Sequence, residues 1–114
     1  MTAPKRVECS IQAELDAAVA DGNVAIVRAG DFDAHGSAKV RVYDRAKVRV
    51  YDRAEVRVYD SAEVLAYDSA EVLADGSAKV TAYDDAEVTA YDDAEVTAFG
   101  NATVRAFDNA EVNA

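Results

Sequence analysis

From residue 38 onward apolar and polar side chains alternate, and the alternation restarts every eight residues. The copies AKVTAYDD (78 to 85) and AEVTAYDD (86 to 93) show the frame: positions 1, 3 and 5 are Ala, Val and Ala or Val, whereas positions 2, 4 and 6 are charged, polar or aromatic. A period of two marks a strand with one face buried and the other in water. Positions 7 and 8 hold pairs such as Asp-Ser, Asp-Asp, Gly-Ser and Gly-Asn. These are turn residues, because Asp and Asn tie up their own backbone and Gly or Asn accept positive φ. Each copy therefore predicts a short strand and a corner. Ala fills position 1 in all ten copies from Ala38 to Ala110, and Val fills position 3 in all ten from Val40 to Val112. Two degenerate copies precede these: GDFDAHGS at 30 to 37 fits the frame, and GNVAIVRA at 22 to 29 places Val24 and Ile26 in the apolar slots.

Two windings compete. In an antiparallel meander with two-residue hairpins, the residues flanking each turn share a face, which mixes Tyr of one copy with Ala of the next. Three-residue hairpins restore the parity, but a lone sheet then leaves its Ala/Val face uncovered. A chain that always turns the same way keeps positions 1, 3 and 5 inside, so an all-β, parallel β-solenoid is expected. Ala and Val are too small to fill a wide triangular lumen, which favours a flattened, two-sided coil of two copies, or 16 residues. Stacking at that lag sorts the aromatics into one file of Tyr43, Tyr59, Tyr91 and Phe107, broken by Asp75, and a second of Tyr51, Tyr67, Tyr83 and Phe99. It also sets Lys39 over Glu55 and Lys47 over Glu63, with Glu71 over Glu87 as an unfavourable pair.

Residues 10 to 21, SIQAELDAAVAD, predict an amphipathic helix, with Ser10 as its cap, Ile11, Leu15 and Val19 on one face, and Gly22 as its stop. Such a helix would cover the first edge of the solenoid. The expected organisation is an N-terminal segment and capping helix over 1–21 and an octapeptide-repeat β-solenoid over 22–114. The repeat runs to the last residue without a closing helix, so the expectation is either a chain cut there or an uncapped edge that meets a partner or a second copy.

The net charge is −10, but it is unevenly spread. Residues 1 to 37 carry −3, residues 38 to 60 carry +3, and residues 61 to 114 carry −10. The acidic stretch disfavours nucleic acid or anionic lipid as a direct partner. No apolar run approaches the roughly 20 residues of a bilayer span, and the start MTAPKRVECS lacks the apolar core of a signal peptide. A soluble protein in a cytoplasmic or phage-associated setting is the expectation. Cys9 is the one cysteine, so no internal disulfide forms.

Few residues suggest covalent chemistry. His35 is the one histidine, and the sequence has no Ser/His/Asp set, no metal-spaced Cys/His cluster and no phosphate-cradling glycine loop. The chain is read as a non-enzyme without cofactor or metal. The best metal guess, calcium at Asp84, Asp85, Asp92 and Asp93, is outweighed by ordinary Asx-turn corners. Thr81, Thr89 and Thr97 would make an outward threonine file of the kind ice binding needs, but charged neighbours count against it. Packing along the rod edge outweighs base or sugar stacking for the tyrosines. Arg41, Arg49 and Arg57 line one outward position with Arg45 and Arg53 at corners, a set suited to an acidic partner.

The units AEVLAYDS, AEVTAYDD and ATVRAFDN resemble the A-x-V-x-A-Y-[DG]-[SN] octapeptide repeats of bacterial and phage proteins. That resemblance covers residues 38 to 114 and implies a parallel β-solenoid, no catalytic residues and no single activity. The expected role is a structural or protein-protein interaction module, a rigid rod that self-associates through its last coil at Val112 and Ala114. The expected contact residues besides these are Arg41, Arg49 and Arg57 on the basic band and Glu87, Asp92, Asp93 and Glu95 on the acidic part. The second expectation is an acidic mimic of nucleic acid that occupies a DNA- or RNA-binding protein, as a phage inhibitor of host defence would.

Overall fold

Nearly every copy of the frame folds the same way, with a four-residue strand over positions 2 to 5 and a tight corner over the rest. The computed structural model describes residues 5 to 113. It begins with β1 (Arg6–Glu8) and α1 (Gln12–Ala20), followed by β2 (Val24–Val27), β3 (Asp31–Ala34), β4 (Lys39–Val42) and β5 (Lys47–Val50). The series continues through β6 (Glu55–Val58), β7 (Glu63–Ala66), β8 (Glu71–Ala74), β9 (Lys79–Ala82), β10 (Glu87–Ala90), β11 (Glu95–Ala98), β12 (Thr103–Ala106) and β13 (Glu111–Asn113). Even-numbered strands, headed by β1, form one sheet in the order β1-β2-β4-β6-β8-β10-β12, and odd-numbered ones form the other, β3-β5-β7-β9-β11-β13. Here they are called face A and face B. All pairings are parallel, and from β3 onward each residue pairs with the one 16 places on, as in Val40 with Val56 and Val48 with Val64. The chain is a two-sided parallel β-solenoid.

The interior is what the alternation dictates. Ala and Val of positions 1, 3 and 5 are buried from Ala38 to Val96, and no polar or charged side chain is buried with them. The backbone ladder continues through the corners. For example, the Glu55 N–H donates to the Ala38 carbonyl at 2.8 Å, that of Tyr59 to Val42 at 2.8 Å and that of Ser61 to Asp44 at 3.0 Å. Each corner closes on itself when the position 1 N–H donates to the position 6 carbonyl, as Ala46 does to Tyr43 at 3.2 Å.

The first coil departs from the expected register. Val24 pairs with Lys39 and Ile26 with Arg41, so both hold outward register positions, although Ile26 is covered there and only 8% exposed; Ala25 and Val27 pair with Val40 and Val42 and are fully buried. The lag there is 15 residues, because this copy lacks one corner residue. The run Val-Ala-Ile-Val is apolar at every place, so alternation alone could not set its phase.

The N-terminal end is closed by two devices. On face A, β1 pairs with β2 and covers its edge. On face B the edge strand β3 is met by a side chain: Gln12 Nε2 donates to the Asp33 carbonyl at 2.7 Å, and Gln12 Oε1 accepts the Asp33 N–H at 2.8 Å. An amide side chain thereby imitates the next strand. Leu15 and Ala18 of α1 are buried in the same cluster as Cys9, Phe32 and the first-coil residues. Ser10 is not the helix cap. Ile11 holds the N-cap place, and the Glu14 carboxylate accepts the N–H groups of Ser10 and Ile11 at 2.7 and 3.2 Å. Ile11 is 60% exposed, off the packed face formed by Leu15 and Ala18. Gly22 (φ 75°) does stop the helix: its N–H donates to Val19 and that of Asn23 to Ala18.

Candidate functional site

Outward side chains fall into straight files, two per face and three per corner edge. On face B the position 2 file is Asp31, Lys47, Glu63, Lys79, Glu95 and Glu111, which alternates in sign along most of its length. Lys47 Nζ lies 3.6 Å from Glu63 Oε2. On face A the matching file is Lys39, Glu55, Glu71 and Glu87, three like charges in a row. Glu87, Asp92, Asp93 and Glu95 make one acidic band that runs from face A over a corner to face B, since they span half a coil.

The arginines are distributed differently. Arg41 and Arg57 are neighbours on face A, but Arg49 is on face B between Asp33 and Leu65. Successive octads point to opposite sides, so the three do not line one file. With Arg45 and Arg53 at the two corners they form a basic collar around the rod. None of these five arginines makes an ion pair among the described residues. The threonines divide by the same rule. Thr81 and Thr97 pair on face B, whereas Thr89 is on face A, and the ice-binding file is reduced to two residues.

The corner aspartates have a role the sequence did not reveal. Position 7 is left-handed in every copy from Gly36 to Asp108: the seven aspartates have φ between 56° and 59°, and Gly36, Gly76 and Gly100 between 65° and 68°. Asp tolerates this region better than most residues with a side chain. The carboxylate does not bond its own turn. It accepts the position 7 N–H of the preceding coil, as Asp52 Oδ2 does from Gly36 at 3.0 Å, Asp60 from Asp44 at 3.2 Å and Asp68 from Asp52 at 3.1 Å. These carboxylates therefore staple coil to coil. Asp84 and Asp85 lie on one edge and Asp92 and Asp93 on the other, so the four do not meet, and among the described residues no His, Cys, Asp or Glu trio could hold a metal.

Both aromatic files stack. Tyr51, Tyr67, Tyr83 and Phe99 follow one another at 4.9 to 5.2 Å, and His35 extends this ladder, 4.6 Å from Tyr51 with the two ring planes nearly parallel at 7°. Its place at position 6 of the degenerate copy was the available signal. In the other ladder Tyr43 and Tyr59 stack at 4.9 Å and Tyr91 and Phe107 at 5.1 Å, with the Arg28 guanidinium 5.0 Å above Tyr43.

Val112, on β13, is 41% exposed, and Ala114 lies outside the described residues. No helix among the described residues is long and apolar enough to cross a membrane. No known family model, no curated protein and no solved structure matches the chain.

Proposed function

We propose that this solenoid is a non-catalytic structural or protein-protein interaction module, a short rigid rod that displays charge in fixed files. The observation that carries the reading is the basic collar. Arg41, Arg45, Arg49, Arg53 and Arg57 stand on both faces and both corners without an ion pair among the described residues, beside an acidic surface on the later coils. Unpaired charge on a stiff scaffold recognises a complementary surface with little ordering cost. The acidic band of Glu87, Asp92, Asp93 and Glu95 on a second copy is one such surface.

Sedimentation of the full chain over a range of protein and salt concentrations tests the reading. Oligomers that grow with concentration, and that shrink when the five arginines are replaced by glutamine, are expected. A monomer under all conditions that also captures no acidic protein overturns it. The nucleic-acid mimic is favoured only by the file Glu55, Glu71 and Glu87, where stacked carboxylates make no ion pair among the described residues. Binding to a basic DNA-binding protein that is lost in salt and on neutralising Glu87, Asp92, Asp93 and Glu95 would select it.

A further inference from the structure

One of the two aromatic ladders is interrupted, and the interruption has a chemistry of its own. In the coil of β8, position 6 is Asp75 where its neighbours carry Tyr59 and Tyr91. The backbone does not deviate. The Asp75 N–H donates to Val58 at 2.9 Å and the Tyr91 N–H to Ala74 at 2.8 Å, so both tyrosines stay in register on either side. Two strand spacings separate them by about 9.6 Å. That interval accommodates one flat group at the spacing shown by Tyr43 and Tyr59, 4.9 Å. Asp75 is too short to fill it: an aspartate has atoms to match only the first three ring carbons of a tyrosine, and the outer half of the ring and its hydroxyl have no counterpart. The following corner residue is Gly76, which adds no side chain.

The Asp75 carboxylate has no hydrogen bond or ion pair among the described residues. Burial, together with the nearby Asp92 carboxylate, pushes its pKa up, and Arg57 pulls it partly back. A half-buried anion between two aromatic faces favours a cation, because the ring faces are themselves electronegative. The shape selects a planar one. The chain supplies an internal precedent in Arg28, whose guanidinium occupies the ladder place above Tyr43 at 5.0 Å. Arg57 lies two residues before Tyr59, yet Arg28 makes the only cation–π contact among the described residues.

We propose that Tyr59, Asp75 and Tyr91 form a binding slot for a guanidinium group, presented as an arginine side chain of a partner protein. That the arginine arrives on a protein rests on the interaction-rod reading; the slot does not.

The test is a titration of the isotope-labelled full chain with N-acetyl-arginine amide at neutral pH and low salt, followed by amide chemical shifts. Saturable shifts confined to the neighbourhood of Tyr59, Asp75, Gly76 and Tyr91 are expected, with a dissociation constant on the order of 1 to 10 mM. Asp75→Asn should weaken binding about fivefold. Asp75→Tyr should abolish it by completing the ladder, and this variant restores the residue type that other coils carry, so its fold is not at risk. N-acetyl-lysine amide, with a non-planar cation, should bind several-fold more weakly. Shifts spread over all acidic residues without saturation, or an Asp75→Tyr variant that binds like the parent, would overturn the proposal. A rod that neither assembles nor captures protein while this titration still saturates would remove the interaction reading and leave the slot.

Discussion

Replacing Asp68 separates the two tasks that the corner carboxylate performs. Asp68 holds φ at 56°, its Oδ2 accepts the Asp52 N–H at 3.1 Å, and its own N–H donates to Asp84 Oδ2 at 3.3 Å. Asp68→Ala deletes the inter-coil acceptor and forces an ordinary side chain into left-handed backbone. The lost hydrogen bond, made by an exposed charge, costs about 1 kcal/mol. The conformational term adds about 1 kcal/mol, because Ala is disfavoured there by more than Asp is. Asp68→Gly loses only the hydrogen bond, since glycine takes this conformation freely, as Gly36, Gly76 and Gly100 do at the same corner position. Asp68→Asn keeps a short polar side chain and an acceptor, and should stay within about 0.5 kcal/mol of the parent. Urea unfolding measures the series as midpoints at constant slope. With a slope of about 2 kcal/mol/M, the Ala variant should unfold about 1 M earlier than the parent and the Gly variant about 0.5 M earlier. An Ala variant as stable as the Gly variant would refute the backbone term, and an Asn variant as weak as the Ala variant would refute the acceptor.

Other perturbations reach different parts of the rod. Gln12→Ala removes both bonds to Asp33 and should cost about 1 to 3 kcal/mol in urea unfolding, while opening the β3 edge to association visible by sedimentation. Val64→Ala empties part of a fully packed interior and should cost about 1 to 2.5 kcal/mol by the same measurement. Because burial raises the Asp75 pKa in the fold, the folded chain binds that proton more tightly than the unfolded chain. Ionised Asp75 is therefore destabilising at neutral pH, Asp75→Asn should be at least as stable as the parent there, and any gain should vanish as pH falls below the ordinary carboxylate range. Cys9 is buried beneath the cap and its pKa is raised, first by burial. Its reaction with an aromatic disulfide reagent should be slow in the native chain and should accelerate when Gln12→Ala loosens the cap.

The repeated part of the fold was legible because every copy states the same alternation. Ala, Val and the eight-residue period together specify which side chains enter the core, and the 16-residue lag follows from how little volume they fill. The failures lie where that redundancy stops. The four apolar residues Val24 to Val27 carry no phase, and the missing corner residue hid both the inward role of Ala25 and Val27 and the ladder place of Arg28. Strand β1 is too short to show a period, and the Gln12 clamp joins residues 21 apart with no local signature. The grouping of Arg41, Arg49 and Arg57 failed for a different reason. Equivalent positions in consecutive octads are neighbours in sequence but face opposite ways in a two-sided coil. The corner aspartates looked like self-bonded turns because the sequence does not show that their nearest free N–H belongs to the coil before.

A pair of cysteine cross-links addresses the winding itself, in a chain whose own thiol is removed by Cys9→Ala. Thr81→Cys with Thr97→Cys places thiols on paired residues of β9 and β11, whereas Thr89→Cys with Thr97→Cys places them on opposite sheets. A continuous two-sided coil requires that a short fluorogenic reagent bridging two thiols closes the first pair efficiently within the monomer and leaves the second open. Efficient closure of the 89–97 pair with none at 81–97 would mean that adjacent octads share a face, and the files, the collar and the slot would not exist.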